Sequence, residues 1–180
     1  MFPSYAEFYA APFHDEALYM DALNKIDFFW NNTDFYGVNI SGMRELAIEE
    51  KMKQPIIEHY DPSSHLATPE MQIVDFRNIK AEDLINLKFS YKFRTHRVGV
   101  MHGVSFWFNC LFCGCNKKVM LSTGPDVYPT HWYQVRLLMK EHIGVNPNQR
   151  ISVEVMLNSN KQQSYDISLT ATLEEANVMI

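Results

Sequence analysis

Between positions 85 and 94 every second residue is apolar. Ile85, Leu87, Phe89, Tyr91 and Phe93 alternate with Asn86, Lys88, Ser90, Lys92 and Arg94. A period of two sends one set of side chains into a core and the other into water, which predicts a half-buried strand. The same alternation runs over 165–173, through Ile167, Leu169 and Ala171, and over 151–157, through Val153 and Val155. Further strands are predicted at 56–60, 71–76, 104–112, 117–122 and 132–139. The turn formers Asp61-Pro62, Gly114-Cys115-Asn116, Gly124-Pro125-Asp126 and Asn146-Pro147-Asn148 separate them. About eight short antiparallel strands make the fold mainly β, an antiparallel barrel or sandwich.

Ahead of Pro55 the texture is different. Residues 4–11 are aromatic and read as a short strand ending at Pro12. Over 14–26, Leu18, Ala22, Leu23 and Ile26 fall at helical spacing, with Asp15 and Glu16 in the first turn, where acidic groups suit the helix dipole. A second helix is predicted over 41–53 with Ser41 as its N-cap. Between the helices, 27–38 holds Phe28, Phe29, Trp30, Phe35 and Tyr36, too aromatic for a solvated linker. Those rings must bury themselves against something.

Composition narrows the class. The chain has 180 residues, 47% of them hydrophobic, and a formal charge of −5. That is one ordinary globular domain, 1–180, with enough length for a full core. The longest apolar runs fall well short of the roughly 20 residues that cross a bilayer, so no membrane partner is expected. A negative charge without a Lys/Arg cluster argues against direct nucleic-acid binding. The three cysteines, Cys110, Cys113 and Cys115, are crowded together and odd in number, which suits reduced thiols. A zinc site would need a second pair of ligands, so no metal is expected.

No glycine-rich nucleotide loop, P-loop or Gly-x-Ser-x-Gly elbow is present. The carboxylate pairs Glu49-Glu50 and Glu174-Glu175 diverge as neighbours do, and read as solvated charges. Of the histidines, His14, His59, His65, His96 and His142 read as surface or loop residues. His102 opens the most aromatic strand, and His131 lies beside Trp132 in a loop at the rim of the sheet, where function tends to concentrate.

The string Thr130-His131-Trp132-Tyr133-Gln134-Val135-Arg136 resembles the Thr-His-Trp loop and following strand of the protein arginine methyltransferases. Other segments agree in order: Met1-Phe2-Pro3, Ala11-Pro12-Phe13, Phe35-Tyr36-Gly37-Val38, Gln54-Pro55, His102-Gly103 with Phe106-Trp107-Phe108, Leu121-Ser122-Thr123, and Gln163-Ser164-Tyr165-Asp166-Ile167. The resemblance spans nearly the whole chain and points to the coactivator-associated, histone-methylating type. Asn109 and Asn39 depart from it, standing where that subgroup usually has Asp.

The resemblance implies a β-barrel with an inserted helical dimerisation arm over 12–38, then the helix at 41–53 and the barrel over 55–180. It implies that Leu18, Tyr19, Phe28, Phe29, Trp30, Phe35 and Tyr36 belong to the arm, which docks on a partner subunit in a homodimer. His131 is expected to be catalytic, as a hydrogen-bonding or proton-relaying group, and Trp132 and Tyr133 to bind substrate. Substrates would be arginine-containing proteins such as histones, in nucleus and cytoplasm, and the cofactor S-adenosylmethionine. The domain that binds it would lie ahead of Met1, so this segment is expected to bind no cofactor and to be inactive alone. A non-catalytic scaffold that holds Arg-rich peptides or an intact methyltransferase is the alternative; a small-ligand barrel is disfavoured, because large aromatics would fill its interior.

Overall fold

The computed structural model describes residues 1–174; Glu175 of the second carboxylate pair lies outside them. The chain runs β1 (Tyr5–Phe13), α1 (Glu16–Trp30), α2 (Arg44–Met52), β2 (Ile56–Glu58), β3 (Glu70–Asp75), β4 (Asn86–Arg94), β5 (Gly99–Cys113), β6 (Lys118–Ser122), β7 (Gln134–Val145), β8 (Arg150–Ser159) and β9 (Tyr165–Glu174). All the strand pairings are antiparallel. One sheet has the order β2-β7-β5-β1-β3, with β6 also paired to β5; the other has the order β4-β8-β9.

The two sheets face each other over one core. Phe89, Tyr91 and Phe93 of β4 and Ile151, Val153 and Val155 of β8 meet Ala10 of β1, Met101 and Val104 of β5 and Val145 of β7. The alternation at 85–94 therefore holds, except that Ile85 is exposed because the strand begins one residue later. No ladder among the described residues closes the sheets into a barrel. On one side the Gln72 amide reaches Ser90 O at 2.9 Å, and Ala67 bridges Thr95. On the other side a groove of about 1010 Å³ separates β7 and α2 from β9.

Boundaries shift where local chemistry overrides the pattern. β1 continues through Pro12 and Phe13, both buried. Its pairing with β3 has already ended at Ala10, and a proline missing its N–H is tolerated where one edge is free. Residues 12 and 13 thus belong to the sheet, and the projecting element begins after them. α1 starts at Glu16, capped by Asp15 Oδ1, which accepts from Leu18 N at 2.9 Å, and it extends to Trp30. Ser41 does not cap α2: its hydroxyl donates to Asn39 Oδ1 at 2.7 Å, and the helix is entered through a tight 3-10 turn. The ion pair of Arg44 with Asp27 ties α2 to α1.

Ala22 and Ile26 of the predicted stripe are buried and Leu18 and Leu23 half-buried, with Tyr19 added to the packed face. Tyr19 takes the central place because its hydroxyl reaches Lys140 O at 3.0 Å. Its ring is consumed by its own domain, against Phe13 and Leu138. At the far end of the helix the aromatics are open: Phe28 is 91% and Tyr36 93% exposed.

β5 and β7 lose register between the pairs Met101↔Ile143 and Gly103↔Leu138. At Gly103 the neighbouring strand comes so close that a Cβ would run into the Leu137 carbonyl oxygen. The bulge turns His102 towards α1, where Nδ1 accepts the Asp15 N–H at 3.1 Å. His102 is thus a packed residue at the root of the helix, beside His14, Tyr19 and His142.

Met101 is fully buried in the core between the sheets. Met101→Ala should cost about 2–5 kcal/mol by urea denaturation, whereas Phe28→Ser should change stability by no more than about 0.5 kcal/mol. Equal losses for the two would mean that the aromatic end of α1 packs on its own domain.

Candidate functional site

β7 does not begin at residue 132. Trp132 and Tyr133 stay in the loop that joins β6 to β7, and Gln134 is the first paired residue. Tyr133 has φ +53°, a left-handed backbone that cannot continue a strand, and its N–H closes a turn onto Thr130 O at 3.2 Å.

Both roots of this loop are buried. Thr123 is 1% exposed. Its hydroxyl donates to Phe108 O at 2.8 Å and accepts from Phe108 N at 3.1 Å, fastening the loop to β5. Gln134, also 1% exposed, donates from Nε2 to Thr123 O at 2.9 Å, so the two roots are stitched together. Between them His131, Trp132 and Tyr133 are exposed. Trp132 leans edge-on against Phe108, ring centres 6.1 Å apart, and Tyr133 against His59 at 4.9 Å. The structure therefore brings His131, Trp132 and Tyr133 onto one rim.

Beneath the loop, Gln134, Arg136 and Leu138 share one side of β7, and all three are buried. Alternation alone would have read Gln134 and Arg136 as a wet face. Arg136 is instead sandwiched between carboxylates, Nη1 to Asp15 Oδ2 at 2.7 Å and Nη2 to Glu58 Oε1, with the Phe13 and Tyr60 rings alongside. Asp15 is the cap of α1 and Glu58 lies on β2, so one guanidinium joins three elements.

His65 was expected to be a surface or loop residue; it lies in a loop, after the turn at Pro62–Ser64, but is only 8% exposed. Its ring stacks on Trp107, which stacks on Tyr9, and its Nε2 lies 2.7 Å from the Tyr60 hydroxyl. The direction of the proton chain follows from what each group can donate. Ser105 Oγ donates to Ala11 O at 3.0 Å, so it accepts from Tyr60 at 2.7 Å, and Tyr60 in turn accepts from a His65 Nε2–H. Burial pushes the Tyr60 hydroxyl pKa up. Burial, with His96 and Arg97 nearby, brings His65 down to about 4.

Asn109 is also buried, and its amide donates to Glu7 Oε2 at 2.9 Å. Cys110 and Cys113 are half-buried and Cys115 is exposed, all three as free thiols. Among the described residues no group of three or more His, Cys, Asp or Glu is placed to hold a metal. The rim offers an exposed imidazole and indole and no activated nucleophile, which suits holding a ligand more than covalent attack on one.

The arm residues divide. Tyr19 is buried and Leu18 half-buried. Phe29, Trp30, Phe35 and Tyr36 form a chain of edge-to-face contacts at 4.9–5.2 Å, and Phe28 projects beside them. Sequence reasoning missed Gln134, Arg136, His59 and the Tyr60–His65–Ser105 chain, whose signal is polar residues on a strand face that other elements cover.

Because folded His65 stays neutral down to about pH 4 while the unfolded chain takes up that proton near 6.5, its contribution to stability is complete above 6.5. It is lost as pH falls towards 4. The loss should reach at most about 3 kcal/mol. His102, also lowered by burial and by its histidine neighbours, acts in the same direction. Thermal melts from about pH 7.5 down to about 4.5 should show it, with a shallower slope for His65→Gln.

A family model described as the arginine methyltransferase oligomerization subdomain matches residues 4–176. A histone-arginine methyltransferase CARMER of Aedes aegypti is 39% identical over 97% of this chain and 29% of its own length. That of Drosophila willistoni is 34% identical over 97% of this chain and 32% of its own. The chain thus spans about a third of these relatives. Among solved structures, the Trypanosoma brucei PRMT1 enzyme–prozyme heterotetrameric complex with AdoHcy superposes with TM-score 0.80 at 22% identity, over 98% of this chain and 53% of that one. Arabidopsis thaliana protein arginine methyltransferase 10 gives 0.78 at 20%, over 99% and 57%. Fold, order of elements and sequence agree: this chain belongs to the arginine methyltransferase oligomerization subdomain family.

Proposed function

We propose that this chain supplies the acceptor-side wall and the self-association arm of an S-adenosylmethionine-dependent protein-arginine N-methyltransferase that acts on histones in nucleus and cytoplasm. The observation that carries the reading is the exposed His131–Trp132 pair on a loop whose two roots are buried. The names of the relatives support histone arginine as the substrate, and the exposed rings at the end of α1 support the arm.

The described residues do not themselves fit the cofactor. The groove between β7 and β9 is lined by Met52, Leu137, Met139 and Ile167 among others, and a smaller cleft of about 480 Å³ between α1 and α2 by Ile26, Trp30, Met43 and Leu46. Neither includes a glycine to cradle a nucleotide, and neither touches the 131–133 loop. The chemistry assigned to this chain therefore stays on the acceptor side.

An arginine guanidinium is a poor nucleophile, its charge delocalised and its pKa above about 12, so holding it in line is most of what a protein can do for it. Trp132 is braced by Phe108 while 58% of its surface stays open, and an indole face attracts a guanidinium. His131, exposed beside it, offers a ring nitrogen to an N–H of the same group. Phe28, Phe29, Phe35 and Tyr36, exposed at the end of α1 and in the loop after it, form the surface that a partner subunit would cover.

An arginine-containing histone-tail peptide titrated into the isotope-labelled chain should shift the Trp132 indole and His131 imidazole resonances. Trp132→Ala should weaken binding by about five- to tenfold, the size of a cation–π contact of roughly 1 kcal/mol, and replacing the peptide's arginine by lysine should also weaken it. A peptide that perturbs neither side chain sinks the reading.

A further inference from the structure

The loop that presents His131 and Trp132 is shaped by two side chains that no motif singles out. Gln134 uses both ends of its amide: Nε2 donates to Thr123 O at 2.9 Å, which leaves Oε1 to accept from His59 Nδ1 at 3.2 Å. His59 must then carry its proton on Nδ1, since Oε1 can only accept. The oriented ring packs edge-to-face on Tyr133 at 4.9 Å. Tyr133 is the residue held at φ +53°, a conformation that costs a non-glycine residue about 1–2 kcal/mol and persists only where the surroundings impose it. A path of direct contacts thus leads from the buried roots through His59 to the strained residue adjoining Trp132.

We propose that Gln134 and His59 are a hydrogen-bonded positioning pair that fixes the backbone of the 124–133 loop, and with it the angle at which His131 and Trp132 meet an arginine side chain. β6 and β7 both pair with β5 and not with each other, and merely joining their ends needs neither residue. A buried glutamine between strand ends carries a desolvation cost that an aliphatic residue would avoid, and His59 is exposed, so it contributes no core. Their placement makes sense as the support of a presented surface, where a small misplacement of a binding group is expensive.

The inference rests on the reading of the loop as an arginine wall, and the test separates the two. Amide exchange in the full chain is compared for wild type, Gln134→Leu and His59→Phe; the second variant removes only a surface hydrogen bond and keeps a ring against Tyr133, so folding is not at stake. The Tyr133 amide should exchange about tenfold faster in both variants, while β8 amides stay unchanged. Unaltered exchange at Tyr133 overturns the pair, whatever the peptide does.

Gln134→Glu places a carboxylate against Nδ1 and should raise the His59 titration midpoint in NMR, a signature of direct contact that a general loss of packing does not produce. Affinity for a synthetic Gly-Arg-Gly repeat peptide should then fall about fivefold or more in His59→Phe at unchanged melting temperature. Faster exchange with undiminished peptide affinity overturns the positioning role. If the wild type binds no such peptide, the arginine-wall reading fails, and the positioning role falls with it.

Discussion

One buried guanidinium organises the outer face of the large sheet. Arg136 has its side chain 5% exposed and touches two carboxylates from different elements. A cation in such a place is tolerable only while paired, and losing one partner of a buried pair costs about 3–5 kcal/mol. The arrangement therefore specifies more than it stabilises. Asp15 must cap α1 and also face β7, and Glu58 must bring β2 onto the edge of β7. Once those are satisfied, Tyr60 is brought over Arg136 and into the hydrogen-bonded chain with His65 and Ser105, and the Tyr9–Trp107–His65 stack has its place.

The same strand serves two tasks because of its period. Gln134, Arg136 and Leu138 follow one another on one side of β7. The first holds the loop with His131 and Trp132, the second holds the cap of α1, and the third packs under Tyr19 of that helix. A strand rises about 3.3 Å per residue, so the loop and the root of the arm are anchored within roughly 13 Å of each other. The tip of α1 is carried much farther away, with its aromatics outward. The rim loop and the root of α1 thus share one foundation.

Much of this was legible in the sequence, and the failures have physical causes. The alternation at 85–94 and 151–157 identified β4 and β8 because each has one wet face. The Thr130–Arg136 string located the rim loop. What period two could not show was that α1, the residues that follow β2 and the rim loop itself cover the outer face of the large sheet. Polar residues there look solvated in sequence, yet the hydrogen bonds of Gln134, Arg136 and His65 are internal. The end of β7 was missed for a related reason: Lys140, Glu141 and His142 interrupt the apolar pattern at the place where the ladder with β5 loses register.

That bulge also explains why the projecting helix is fastened where it is. A regular ladder would have kept the strand edges satisfied and offered α1 only side chains. With register lost, the Lys140 carbonyl turns to the Tyr19 hydroxyl and His102 turns its Nδ1 to the first N–H of the helix cap. Gly103 permits the close approach that the irregularity needs. The helix is consequently held at its root by three directional contacts, the third being the Asp15–Arg136 ion pair, and along its outer half by α2 through the Asp27–Arg44 ion pair. Its last turn and the loop that follows carry the rings of Phe28 and Tyr36 into the open. The bare aromatics on it are then a consequence of the anchoring and not a defect of the core.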